Sequence, residues 1–109
     1  MKTTYISSPM LLLAAALAAP AISLAEGDAG AGEVKAFTCM GCHGVPGYNN
    51  VYPTYHVPKL GGQHAAYLVT ALKAYKDGQR SHQTMQAQAQ TLSDQDMQDI
   101  AAWFAGYGK

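Results

Sequence analysis

The chain is short of charge, of cysteine and of long apolar runs, and each shortage closes off a class of function. Only 13% of its 109 residues are charged, seven basic against seven acidic. That balance removes the electrostatic footprint that nucleic-acid binding or adhesion to an anionic membrane surface needs. No apolar run reaches the roughly 20 residues of a bilayer span. Two cysteines are too few to build a zinc site by themselves, and His56, His64 and His82 stand at no recognisable zinc spacing from them. No segment shows sustained apolar–polar alternation or β-branched enrichment, so nothing argues for a sheet. Internal repeats and low-complexity tracts are missing too. The length leaves room for one domain, which argues against an enzyme with separate substrate and cofactor domains.

What is present begins with a leader. Lys2 supplies a positive n-region, Met10 to Ala19 (MLLLAAALAA) an apolar h-region, and Ser23-Leu24-Ala25 the small residues of a cleavage point, the three-part pattern of a secretory signal. The expectation is therefore a cleaved signal peptide at 1–25, a mature domain at 26–109, export to the periplasm, and no stable membrane insertion after cleavage. Losing Lys2 leaves six basic residues against seven acidic ones. A mature domain of about 84 residues is near the size at which one apolar core gives only a few kcal/mol and a covalent or cofactor staple is common.

Three helices are expected. The first runs from about Ala29 to Thr38, with Asp28 as N-cap and Val34 and Phe37 on one face. The second runs from about His64 to Asp77, with Leu68, Leu72 and Tyr75 on one stripe and Gly78 ending it in the left-handed conformation. The third starts at Ser93, with Asp96 completing a capping box and Leu92 stapling onto Met97. Asp94, Asp96 and Asp99 then lie near its N-terminal end, where the helix dipole favours negative charge. Gly44 to Lys59 and Gln79 to Thr91 read as irregular connections, long for so small a domain. The first of them carries Tyr48, Tyr52 and Tyr55 with three prolines, a composition suited to a rigid wall around something flat and apolar.

Chemistry concentrates at Cys39-Met40-Gly41-Cys42-His43. Cys-x-x-Cys-His is the attachment pattern for c-type haem, two thiols spaced to reach both vinyl groups and an adjacent imidazole for the iron. A thioredoxin-like dithiol would need the mouth of a βαβ unit, and no strands are visible to form one.

In these residues the chain resembles the class I bacterial c-type cytochromes, and is most similar to one domain of the cytochrome c4 group and to the small cytochromes c553. The resemblance is carried by Cys39 to Gly44 (CMGCHG), Pro58 to His64 (PKLGGQH) and Leu92 to Phe104 (LSDQDMQDIAAWF), with Met85 upstream. It implies an all-α fold of three main helices packed around one covalently bound haem c. It implies further that Cys39 and Cys42 form the thioethers and His43 ligates iron, with its Nδ1 proton taken by the Pro58 carbonyl and Leu60 packing on the haem. The N- and C-terminal helices are expected to cross near Gly32.

The resemblance also places a methionine ligand between the second and third helices, where Met85 is the one methionine. Met40 lies on the His43 side and Met97 reads as a staple. His82, on the same connection, is the rival sixth ligand. Arg80 is a candidate partner for a haem propionate. The implied function is electron transfer, not enzyme catalysis, with transient redox partner proteins and a place in a respiratory chain. The alternative is a haem-bearing electron-acceptor subunit of a larger periplasmic oxidoreductase.

Overall fold

The computed structural model describes residues 26–109; the expected signal peptide at 1–25 lies outside them. The element order is α1 (Ala29–Lys35), α2 (Phe37–His43), β1 (Asn49–Val51), β2 (Thr54–His56), α3 (Ala65–Lys76), α4 (Gln83–Gln90) and α5 (Asp94–Gly106). The fold is predominantly helical, and the three expected helices are all present. Among the described residues no helix is long and apolar enough to cross a membrane.

Capping residues set the ends of the long helices. The Asp28 carboxylate accepts from the Gly30 and Ala31 amides and opens α1. Ser93 and Asp96 satisfy each other's backbone donors and open α5, which supplies two of the orphan N–H groups at that end with partners. Asp77 closes α3, and Gly78 beyond it takes φ +77°, a conformation that costs a residue without Cβ little.

The core forms where α1, α3 and α5 meet. Ala36, Leu68, Val69, Ile100, Ala101 and Phe104 are buried together, with Cys39, Met40, Leu60, Leu92 and Trp103 packed against them. The α1/α5 crossing depends on Gly32. A Cβ there would fall 2.0 Å from the Asp99 carbonyl oxygen and 2.9 Å from the Trp103 Cβ, so only hydrogen fits.

Charge closes the same crossing. Asp99 is 3% exposed, and a buried carboxylate requires partners. It accepts from the Asp28 amide at 2.8 Å, from Gln95 Nε2 at 2.8 Å and from Lys35 Nζ at 2.6 Å. Lys35 Nζ also reaches Asp96 at 2.8 Å. The expectation that Asp99 serves the helix dipole is therefore corrected: it is the anchor between α1 and α5.

Three further expectations are revised. The first helix breaks at Ala36 and resumes as α2, which carries the Cys-x-x-Cys-His segment inside it. The connection 44–59 holds an antiparallel hairpin, with Asn50 opposite Tyr55 and Val51 opposite Thr54 around a cis Tyr52-Pro53 bond. The Asn50 side-chain Nδ2 donates to the Pro53 carbonyl and the Thr54 hydroxyl to that of Val51, which ties off the turn. The connection 79–91 contains α4, opened by His82.

Candidate haem site

α2 brings the two thiols and the imidazole to one wall of a cavity of about 360 Å³, a size within the range of small-molecule and cofactor sites. A helical segment is what lets it do so, because positions three and four apart share a face. Cys39 and His43 are four apart and Cys39 and Cys42 three apart, and all three line the cavity. Both thiols are unpaired. Burial pushes the Cys39 thiol pKa up, with smaller opposing contributions from its hydrogen bonds.

His43 is held from behind. Its Nδ1 is 2.7 Å from the Pro58 carbonyl oxygen. A carbonyl only accepts, so Nδ1 carries the proton, and in the neutral ring the lone pair lies on Nε2. An imidazole whose second nitrogen donates to a carbonyl is the usual arrangement of a metal-binding histidine.

The other walls are apolar. Leu60, Leu68, Leu72, Ile100 and Phe104 contribute from the 58–62 segment, α3 and α5, and Met85 enters from α4. Every sequence-expected site residue, Cys39, Cys42, His43, Pro58, Leu60 and Met85, borders this one cavity. Met97, by contrast, is fully buried and Met40 packs on the core.

The charged residues on the lining are Lys35, Lys59 and Arg80, with no acid among them. Arg80 lies 4.6 Å over the Tyr75 ring, within the range of a cation–π contact. Of the three loop tyrosines only Tyr55 belongs to the cavity; Tyr52 is 95% exposed at the hairpin tip. The idea of a wall built from all three is corrected accordingly.

Two lining residues already named in the sequence, Tyr55 and His82, make a contact that sequence reasoning did not reach. Tyr55 and His82 meet edge to face with centroids 4.6 Å apart. Tyr55 Oη lies 3.3 Å from Thr84 Oγ1, and the His82 Nδ1 accepts from the Met85 amide at 3.4 Å. The one signal that could have found the helix in QTMQAQAQ is propensity, since Gln, Met and Ala are good helix formers.

The donor set suits a haem. Two free thiols, an imidazole with its Nε2 lone pair available and a thioether face a mostly apolar space that a flat macrocycle can occupy.

Known proteins agree with this chemistry. A family model described as cytochrome C oxidase, cbb3-type, subunit III matches residues 25–104. Cytochrome c-554(548) of Halomonas halodenitrificans is 49% identical over 82 residues, covering 72% of this chain and 95% of that protein. Cytochrome c4 of Pseudomonas aeruginosa is 46% identical over 81 residues, covering 74% of this chain and 39% of its own length. The crystal structure of reduced recombinant cytochrome c4 from Pseudomonas stutzeri superposes with a TM-score of 0.59 at 31% identity, over 74% of this chain and 51% of that one. The chain thus spans nearly all of the first relative and between about two fifths and a half of the cytochromes c4.

Proposed function

The chain belongs to the class I c-type cytochromes, haem-bearing electron carriers and not enzymes, and we propose that it is a periplasmic monohaem carrier. In this reading Cys39 and Cys42 hold haem c covalently, and His43 and Met85 ligate its iron. The bound group supplies a one-electron ferric/ferrous couple.

The chain's own residues set the conditions for that couple. The Pro58 carbonyl fixes the His43 tautomer and ring orientation and raises the basicity of Nε2. The Met85 thioether is a soft donor that favours the reduced state and a higher potential than a second imidazole would. Leu60, Leu68, Ile100 and Phe104 keep water from the cavity, and a lower dielectric disfavours the more highly charged oxidised site. If His43 and Met85 both hold the iron, the residues would leave no open place for a substrate, and outer-sphere transfer to a transiently docked protein would be the chemistry they support.

Residues 1–25 are read as the export leader and 26–109 as the mature domain, a reading supported by Lys2, the apolar run and Ser23-Leu24-Ala25. The observation that carries the function is the convergence of two free thiols, a tautomer-fixed imidazole and a thioether on one apolar cavity. A pyridine haemochrome spectrum and intact mass of the protein from the periplasmic fraction test it. The expected result is one haem per chain, retained after denaturation, on a polypeptide that starts near Glu26. A chain without covalent haem overturns it.

A further inference from the structure

The methionine that the proposed ligation requires sits on the first turn of a short helix. α4 spans eight residues, and an isolated helix of that length is marginal in water. Its N-terminal turn must therefore be held by something outside it. The usual device is a Ser, Thr, Asp or Asn cap, and none of these occupies the cap position.

His82 stands there instead, with extended backbone, its Nδ1 accepting from the Met85 amide and its carbonyl from the Gln86 amide at 2.8 Å. At 3.4 Å the side-chain bond is long, so it does not fix the ring unaided. The remaining hold comes from the hairpin. Tyr55 on β2 packs edge to face on the His82 ring, and its hydroxyl pairs with Thr84. Tyr55, His82, Thr84 and Met85 all line the cavity. The Tyr55 strand is itself fixed at its base by the Val57 amide, which donates to the Tyr48 carbonyl at 3.0 Å.

We propose that His82 and Tyr55 form a positioning pair, through which the hairpin holds the first turn of α4 and so presents Met85 to the cavity. The inference rests on the reading of Met85 as the sixth iron ligand. It assigns a task to the 49–56 hairpin, which the proposed function leaves without one, and it gives His82 the role of support and not of ligand.

Displacement of the methionine by imidazole in the ferric holoprotein measures how firmly Met85 is presented. His82→Ala removes both the cap and the ring that Tyr55 packs on, and the apparent imidazole affinity is expected to rise about five- to tenfold, the usual worth of a lost N-cap. His82→Asn restores an acceptor for the Met85 amide but not the ring that Tyr55 packs on, and should bring the affinity only part of the way back, to about that of Tyr55→Leu. Tyr55→Leu leaves His82 in place and should raise the affinity severalfold. Gln90→Ala breaks the bond from Gln90 Nε2 to the Lys76 carbonyl at the far end of α4 and should change nothing, which separates positioning from a general loosening of the helix.

An imidazole affinity unchanged within about twofold in His82→Ala overturns the proposal. If that variant yields no holoprotein, Tyr55→Leu decides, and an unchanged affinity there overturns it equally. Met85→Ala keeps the two readings apart. If it retains the parent's weak red-edge sulfur–iron band, the ligand reading fails; if it loses the band while His82→Ala and Tyr55→Leu behave as the parent, only the positioning pair fails.

Discussion

The Nδ1 of His43 lies 2.7 Å from the carbonyl oxygen of Pro58, and this one bond decides which nitrogen of the ring carries the lone pair. Because the acceptor is backbone, the side chain at position 58 contributes only the conformation of the segment. Pro58→Ala keeps the carbonyl and is expected to leave the holoprotein low-spin, with a midpoint potential that moves by less than about 59 mV, the tenfold mark for a one-electron couple. A larger shift in a redox titration would mean that the proline ring itself, not the carbonyl, tunes the ligand.

The α1/α5 crossing predicts a sharp contrast between two glycines. Gly32→Ala places a methyl into the Asp99 backbone and should cost at least the 1 to 3 kcal/mol or so of ordinary overpacking, more if the helices must separate. Gly106→Ala at the end of α5 meets no atom within 4 Å. It should be neutral or stabilising by up to about 1 kcal/mol, the propensity difference between the two residues. Guanidinium melts of the two holoproteins make the comparison.

Asp99 gives the fold an acid limit. Its hydrogen bonds from Lys35, the Asp28 amide and Gln95, in that order of weight, lower its pKa to about 2, and Asp96 is lowered in the same direction, chiefly by Lys35. A carboxylate with a depressed folded-state pKa contributes stability above its unfolded value, near 3.9, and loses it as pH falls toward the folded value. Stability should therefore drop as pH goes from about 4 to 2. Asp99→Asn should be less stable at neutral pH and show a flatter dependence in that window. Lys35 is raised, first by Asp96 and then by Asp99, so its share is present at neutral pH and fades above about 10.5. Urea midpoints across the pH range test both limbs.

Phe104 is 1% exposed and belongs to both the core and the cavity wall. Phe104→Ala should cost about 3 to 5 kcal/mol, as large aromatic truncations in cores do. It should also admit water beside the haem. The expected signature is a lowered melting temperature together with a changed midpoint potential, where a defect confined to the core would move only the first.

How far the sequence could be read depended on whether a feature was local. Asp28, Ser93 with Asp96, and Gly78 act through neighbours two or three residues away, so these caps were legible from pattern. The α1/α5 contact was legible only through the family resemblance, which placed the crossing near Gly32. The break at Ala36 was not, since nothing in AGAGEVKAFTC forbids a continuous helix. The hairpin escaped because strands of three residues are too short to show alternation and Tyr52-Pro53 is not a common hairpin turn pair. α4 escaped because it buries only Ala89 and so has no apolar stripe. The motif residues Cys39, Cys42 and His43 could be named from spacing alone. The Tyr55–His82 contact joins residues 27 positions apart and only the tertiary structure brings them together.

The assignment of Met85 as the partner of His43 is the centre of the account, because it separates a closed electron carrier from a haem with a vacant or exchangeable position. The direct measurement is the ferric spectrum and midpoint potential of Met85→Ala beside the parent. Ligation by Met85 predicts a weak red-edge sulfur–iron band in the parent, its loss in the variant, a fall in potential, and carbon monoxide binding by the ferrous variant but not by the ferrous parent at neutral pH. A variant that keeps the band and the parent's potential would contradict it.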